Sequence, residues 1–122
     1  ETTSERQSSP EEAKTRVCAA FDTVRDAVSL QTNADLGADP VALQVVAANA
    51  RLATLGGGQY LLTQLGDAVP DDLSEAVRSF ANTLQDIGIG QLAGTPANDP
   101  VQVQRLESAQ GDAARISELC QQ

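Results

Sequence analysis

Four prolines mark the starts of four helical segments in this chain: Pro10, Pro40, Pro70 and Pro100. Proline is favoured in the first helical turn and excluded from helix interiors, because its φ is fixed and it has no N–H to donate. The first start, Ser9-Pro10-Glu11-Glu12, also has a glutamate three residues after a serine, which is the pattern of a capping box. No segment shows the alternation of a strand. The sequence therefore predicts an all-α fold.

Each segment carries apolar residues at spacings of three and four, the period of a helix that buries one face. We expect an antiparallel four-helix bundle with up-down-up-down topology over residues 10–122, with an irregular orthogonal array of helices as the alternative. Residues 88–98 lack this period and predict a long connection after a shorter third helix. Residues 1–9 are polar and small and predict a disordered tether. The four stripes are Ala13, Val17, Phe21, Val24 and Val28; Val41, Val45, Ala48, Leu52 and Leu55; Leu73, Val77, Phe80, Leu84 and Ile87; and Val103, Leu106, Ala109, Ala113, Ile116 and Cys120.

The second helical segment carries two apolar stripes instead of one. Its further stripe consists of Leu43, Val46, Ala47, Ala50 and Ala53. A helix that is apolar almost all round is typical of the interior of a domain. We therefore expect this helix to be the most buried of the four, or to face two partners.

The two cysteines test the bundle topology. Cys18 lies two turns into the first helix and Cys120 at the end of the fourth, and an up-down-up-down bundle puts these positions at the same end. We expect a disulfide that joins helices 1 and 4, and therefore a domain that folds outside the reducing cytosol. The alternative is a pair of buried free thiols in a cytosolic protein. A metal site is not expected, because the chain has no Cys-x-x-Cys pair and no histidine.

The charge of the chain limits its partners. It has 17 acidic and 8 basic residues, for a formal net charge of −9. Nucleic acid and anionic membrane surfaces require clustered Lys and Arg, so neither is an expected partner. The acidity indicates a well-solvated surface, with an acidic face for a basic partner as the alternative.

Because the chain lacks methionine, we interpret it as mature or excised, and expect membrane contact only through a segment outside it, such as a signal peptide, a lipid or a transmembrane helix.

Patterns of catalytic residues are absent from the sequence. Histidine, the usual acid–base catalyst at neutral pH, does not occur. The paired acids Asp71-Asp72 and Glu11-Glu12 fall in first helical turns, where the helix dipole explains them. No Gly-x-Ser-x-Gly elbow accompanies the serines. We therefore expect no enzymatic activity and no cofactor.

A run of three glycines interrupts the second helical segment. Gly56-Gly57-Gly58 does not resemble a phosphate-binding loop, because neither a preceding strand nor a following Lys and Ser/Thr is present. Three glycines within a helix cost about 3 kcal/mol relative to alanine, so the helix breaks there or close packing compensates. Apolar spacing resumes at once after Tyr60, which favours a long helix that is kinked or locally thinned. This bare backbone, with Tyr60 and the nearby Arg51, is a candidate ligand pocket or a packing contact for Phe21 or Phe80.

The stretches TRVCAAFDTVRDAV (15–28) and ANARLATLGGGQYLL (48–62), with the late cysteine in ISELCQQ (116–122), resemble the alanine-rich conserved membrane proteins of mycobacteria. That family has an N-terminal membrane anchor and a small extracytoplasmic domain. The resemblance implies a location in the cell envelope, and it brings no established activity to these residues.

Three functions remain open at this point. The first is a noncatalytic extracytoplasmic domain that binds a protein partner or acts as an envelope scaffold. The second is a carrier or sensor for a small apolar or lipid-like ligand near Tyr60 and the glycines. The third is an arginine-clamp enzyme similar to the secreted all-helical chorismate mutases, which requires arginines to converge with a carboxamide. Its candidate residues are Arg25, Arg51 and Arg105 with Gln59 or Gln64.

Overall fold

The computed structural model describes residues 9–122 and shows four α-helices in an antiparallel up-down-up-down bundle, as predicted. Within that part of the chain no strand is present. The predicted tether lies outside the described residues, except for Ser9, which caps the first helix. The helices are α1 (Pro10–Thr32), α2 (Pro40–Thr63), α3 (Asp71–Leu92) and α4 (Pro100–Gln121).

The predicted start signals are confirmed in atomic detail. The Ser9 hydroxyl accepts the Glu12 N–H at 3.1 Å, and the Glu12 carboxylate accepts the Ser9 N–H at 3.0 Å, which completes a capping box. The Ser9 N–H that donates to the Glu12 carboxylate lowers the pKa of Glu12 below its usual value, and the Ser9 side chain adds to the effect. Asp39 and Asp99 each accept two N–H groups at the starts of α2 and α4. Because the four start prolines are thirty residues apart, the helices have nearly equal lengths of 22 to 24 residues.

The expected long connection over residues 88–98 is wrong, because α3 continues to Leu92. Gly94 ends the helix, with φ at +86°. The Gly94 N–H donates to the carbonyl of Gln91, and the Thr95 N–H donates to the carbonyl of Gly90, which is the Schellman arrangement at a helix end. Gly88 lies inside α3, where the helix packs closely against α2: a Cβ at this position would lie 2.5 Å from Leu55.

The hydrophobic core occupies one end of the bundle. Phe21 and Phe80 meet edge to face at its centre, with ring centroids 5.4 Å apart. The other core residues come from the first half of α1, the last turns of α2, most of α3 and the second half of α4. None of residues 25–53 is buried. The opposite end of the bundle, where α1 ends and α2 begins, therefore lacks a closed core.

Of the two expectations for α2, the second holds: α2 packs against two helices, α1 and α3, but it is not the most buried helix. Only Thr54, Gly58 and Leu61 are buried among its 24 residues, whereas α3 buries eight. The apolar pattern of α2 correctly indicates which residues share a face. One of its two faces points away from the bundle, and the other extends beyond the end of the core.

The predicted disulfide joins Cys18 of α1 to Cys120 of α4, with their Cα atoms 5.9 Å apart. Two hydrogen bonds flank it across the same pair of helices: Lys14 Nζ donates to the Gln122 carbonyl at 2.7 Å, and Arg25 donates to the Ser117 hydroxyl at 3.2 Å. Four pairs of helices pack side by side, and the α1–α4 pair has the smallest contact. The disulfide is thus the main link across this seam, and it indicates an oxidising, non-cytosolic setting.

We predict that removing the disulfide destabilises the domain by about 4–5 kcal/mol, because the bond closes a loop of about 100 residues in the unfolded chain. The change is the double substitution Cys18→Ser and Cys120→Ser, and urea denaturation measures the free energy of unfolding. Wild-type protein with and without reductant is the control. An unchanged unfolding midpoint after reduction would contradict the role assigned to this bond.

Candidate interaction surface on α1 and α2

The three consecutive glycines lie within an uninterrupted α2 and point in three directions. A Cβ on Gly57 would lie 2.7 Å from Val24 of α1, and one on Gly58 would lie 2.6 Å from the Ala81 carbonyl oxygen of α3. Gly56 has nothing within 4 Å. Two of the glycines therefore permit close helix packing, against Val24 and Ala81 instead of the two expected phenylalanines. The third leaves bare backbone on the surface.

The core-facing stripe of α2 loses burial steadily toward the start of the helix. Leu61, Gly58 and Thr54 are buried, Ala50 and Ala47 are half-buried, and Leu43 is exposed. These positions follow one another at spacings of three and four, so they share one side of the helix. Leu43 thus lies on the side that faces the core, at a level where the core has ended.

The outer stripe of α2 is apolar and faces solvent along most of its length. Val41 is 65% exposed and Leu52 is 69% exposed, with Val45, Ala48 and Gly56 also exposed. Scattered single apolar residues are normal on a protein surface, but a contiguous stripe of them marks an interaction site. We call these five residues the outer stripe.

An open groove of about 350 Å³ runs beside the outer stripe, between α1 and α2. Tyr60, 46% exposed, stands at one end of it. Its lining is apolar apart from the Thr23 and Tyr60 hydroxyls. The lining residues are Thr23, Val24, Ala27, Leu52, Ala53, Gly56, Gly57 and Tyr60.

The structure separates the residues of the predicted glycine patch. Gly56, Gly57 and Tyr60 line the groove between α1 and α2, whereas Gly58 is buried against α3. Arg51 lines a different groove, with Gln91 and Thr95 at the end of α3. The apolar groove therefore has no arginine among its lining residues.

The arginines considered for an arginine-clamp site have different neighbours. Arg25 lies over the Phe21 ring at 5.3 Å and donates to Ser117. Arg105 donates at 2.8 Å to Gln102, a buried glutamine whose amide nitrogen donates to the Ile87 carbonyl. The sequence does not indicate this polar contact between α3 and α4, because an isolated glutamine has no distinguishing pattern. The two candidate carboxamides also pair elsewhere: Gln59 accepts from Gln85, and Gln64 donates to Thr63.

Two further classes of site are not found within residues 9–122. No group of three or more Cys, Asp or Glu side chains there is placed to hold a metal ion. None of the described helices combines the length and apolarity needed to cross a bilayer.

Comparisons with protein-family models, curated proteins and solved structures find no match to this chain.

We predict opposite effects from the same substitution at neighbouring glycines. Gly56→Ala raises the free energy of unfolding by about 1 kcal/mol, because alanine favours the helix and the site is open. Gly58→Ala lowers it, because the new methyl would press on backbone of α3 and overpacking costs about 1–3 kcal/mol. Urea denaturation measures both. Gly111→Ala, in an open position of α4, is the control that measures the gain from helix propensity alone. Equal stabilisation at positions 56 and 58 would contradict the close contact between Gly58 and α3.

Proposed function

We propose that this chain is a noncatalytic extracytoplasmic helical domain of a cell-envelope protein that binds a protein partner through the outer stripe and the adjoining groove. One observation carries this proposal: the most apolar helix of the domain leaves most of its apolar side chains in contact with solvent. Burying exposed apolar surface is favourable by roughly 25 cal/mol per Å². A partner that covers this surface supplies the burial that the domain itself does not.

The envelope location has two separate supports. The disulfide between Cys18 and Cys120 fits an oxidising compartment. The resemblance to the alanine-rich conserved mycobacterial membrane proteins fits the same setting, with the domain membrane-anchored through a segment outside the chain or secreted.

The apolar lining of the groove also favours a second candidate, a carrier for a small apolar or lipid-like ligand. Ligand pockets bury most of the ligand's surface, typically 70–90% or more. The groove beside Tyr60 is open along the surface instead of enclosed between helices. This shape favours a protein face over a carrier. An arginine-clamp enzyme has less support, because Arg25, Arg51 and Arg105 have different neighbours.

We predict that a photo-crosslinking amino acid at position 52 captures protein when the domain is exported in a mycobacterial host. Leu52 is 69% exposed and belongs to both the outer stripe and the lining of the groove, where a bound partner lies within reach. Position 89 is the matched control, because Ile89 is 58% exposed on α3 and belongs neither to the outer stripe nor to the lining of the groove. Gel electrophoresis and mass spectrometry of the adducts give the measurement.

Protein adducts that form at position 52 and not at position 89 support the proposal. Lipid adducts alone at position 52 would overturn it in favour of the carrier. Equal capture at both positions, or none at either, would remove the evidence for a specific surface.

A further inference from the structure

We propose that the partner of the outer stripe is a second copy of this chain, an inference that rests on the proposed function. The stripe spans Val41 to Gly56 at spacings of four and three, so it forms one straight seam on α2. Two copies related by a two-fold axis present the same patch to each other, with each residue contacting its counterpart reciprocally. The patch must then be complementary to itself.

The sequence of the outer stripe has this self-complementarity. Ala48 and Leu52 are equally distant from residue 50, on opposite sides of it along the helix. In an antiparallel α2 pair with its two-fold axis beside residue 50, Leu52 of each copy faces Ala48 of the other. Val45 and Gly56 come to nearly the same level, so a large side chain again meets a small one. Alternation of large and small residues across facing positions is what close helix packing requires.

The charge distribution also favours a second copy over a basic partner. The chain carries a net charge of −9, but α2 contains no acidic residue, and Arg51 is its only charged one. A basic partner would find no carboxylate on the outer stripe with which to pair. Two acidic chains, by contrast, can meet along this uncharged seam while their carboxylates remain in solvent.

The dimensions of the surface suit a reversible dimer. From Val41 to Tyr60 the outer stripe and the groove run about 30 Å along α2, and with the adjoining edge of α1 the surface is about 20 Å wide. The face therefore offers roughly 600 Å², below the roughly 800 Å² per partner of a standard interface and in the range of weak, reversible contacts. Leu30 lies on the same edge of α1 as Thr23 and Ala27, and it extends the apolar surface toward the open end.

The chain's own N-terminal residues do not suit this surface. Residues 1–8, with the sequence ETTSERQS, contain no apolar side chain. Covering the outer stripe with them would bury polar groups against Val and Leu, which is unfavourable without hydrogen-bond partners. A second copy offers an apolar surface of matching length instead.

We predict that the purified, disulfide-bonded chain forms a dimer whose population rises with concentration between roughly 10 μM and 1 mM, a range typical of weak interfaces. Sedimentation velocity measures the monomer–dimer equilibrium. Leu52→Glu is expected to weaken dimerisation at least tenfold, because it places a carboxylate against the apolar seam in both copies. Ile89→Glu, a matched change at a similarly exposed site, should leave the equilibrium within twofold of wild type. Unfolding midpoints of both variants verify that they are folded.

Salt provides an independent test of the partner's charge. Raising the salt concentration screens the repulsion between two chains of charge −9, so the dimer should strengthen. Binding to a basic partner would weaken under the same change. A dimer that weakens with salt, or an equal effect of Leu52→Glu and Ile89→Glu, would contradict association through the outer stripe.

Failure of this inference differs from failure of the proposed function. If the chain stays monomeric at 1 mM while the photo-crosslinker at position 52 captures a different protein, the proposed dimer is wrong. The proposed function as a protein-interaction domain then still stands. A monomeric chain without protein adducts at position 52 overturns both. Adducts of the chain with itself at position 52 support both.

Discussion

The covalent bond between Cys18 and Cys120 closes the bundle at the seam where helix packing contributes least. The packing of α1 on α2, α2 on α3 and α3 on α4 forms a continuous series, but the direct contact between α1 and α4 is much smaller than any of these. Without that bond the two outermost helices would depend on a few exposed hydrogen bonds to stay together, and such bonds contribute little net stability. The buried residues concentrate at the same end of the bundle as the disulfide.

Many apolar residues of the domain lie outside the region where its core is formed. The first half of α2 is rich in valine, leucine and alanine, yet none of residues 25–53 is buried. A core confined to one end leaves these side chains without intramolecular partners, and the glycines at 57 and 58 draw only the second half of α2 close to its neighbours. Close packing is therefore confined to one end of the bundle, and the first half of α2 keeps an exposed apolar face. This face is the basis of the proposed interaction.

Much of the fold could be predicted from the sequence because its signals are local. The capping box at Ser9 and the paired positions of Cys18 and Cys120 need only the helix period and a topology. Periodicity shows which residues share a face but not whether anything covers that face, so the exposure of α2 could not be predicted. Glycine is equally ambiguous: Gly88 suggests the end of a helix but marks a close contact, whereas Gly94 ends α3. Gly56, Gly57 and Tyr60 line one groove and Arg51 lines another, a separation that nearness in the sequence does not reveal.

The disulfide also determines how the domain responds to mechanical load. Because α1 and α4 are antiparallel, the start of α1 and the end of α4 lie at the same end of the bundle, next to the S–S bond. Tension applied between these two points passes from α1 to α4 through the sulfur atoms. The intervening residues between Cys18 and Cys120 form a covalently closed loop that carries none of that force. α2, α3 and the surface on α1 and α2 therefore keep their arrangement when the domain is pulled by its two ends.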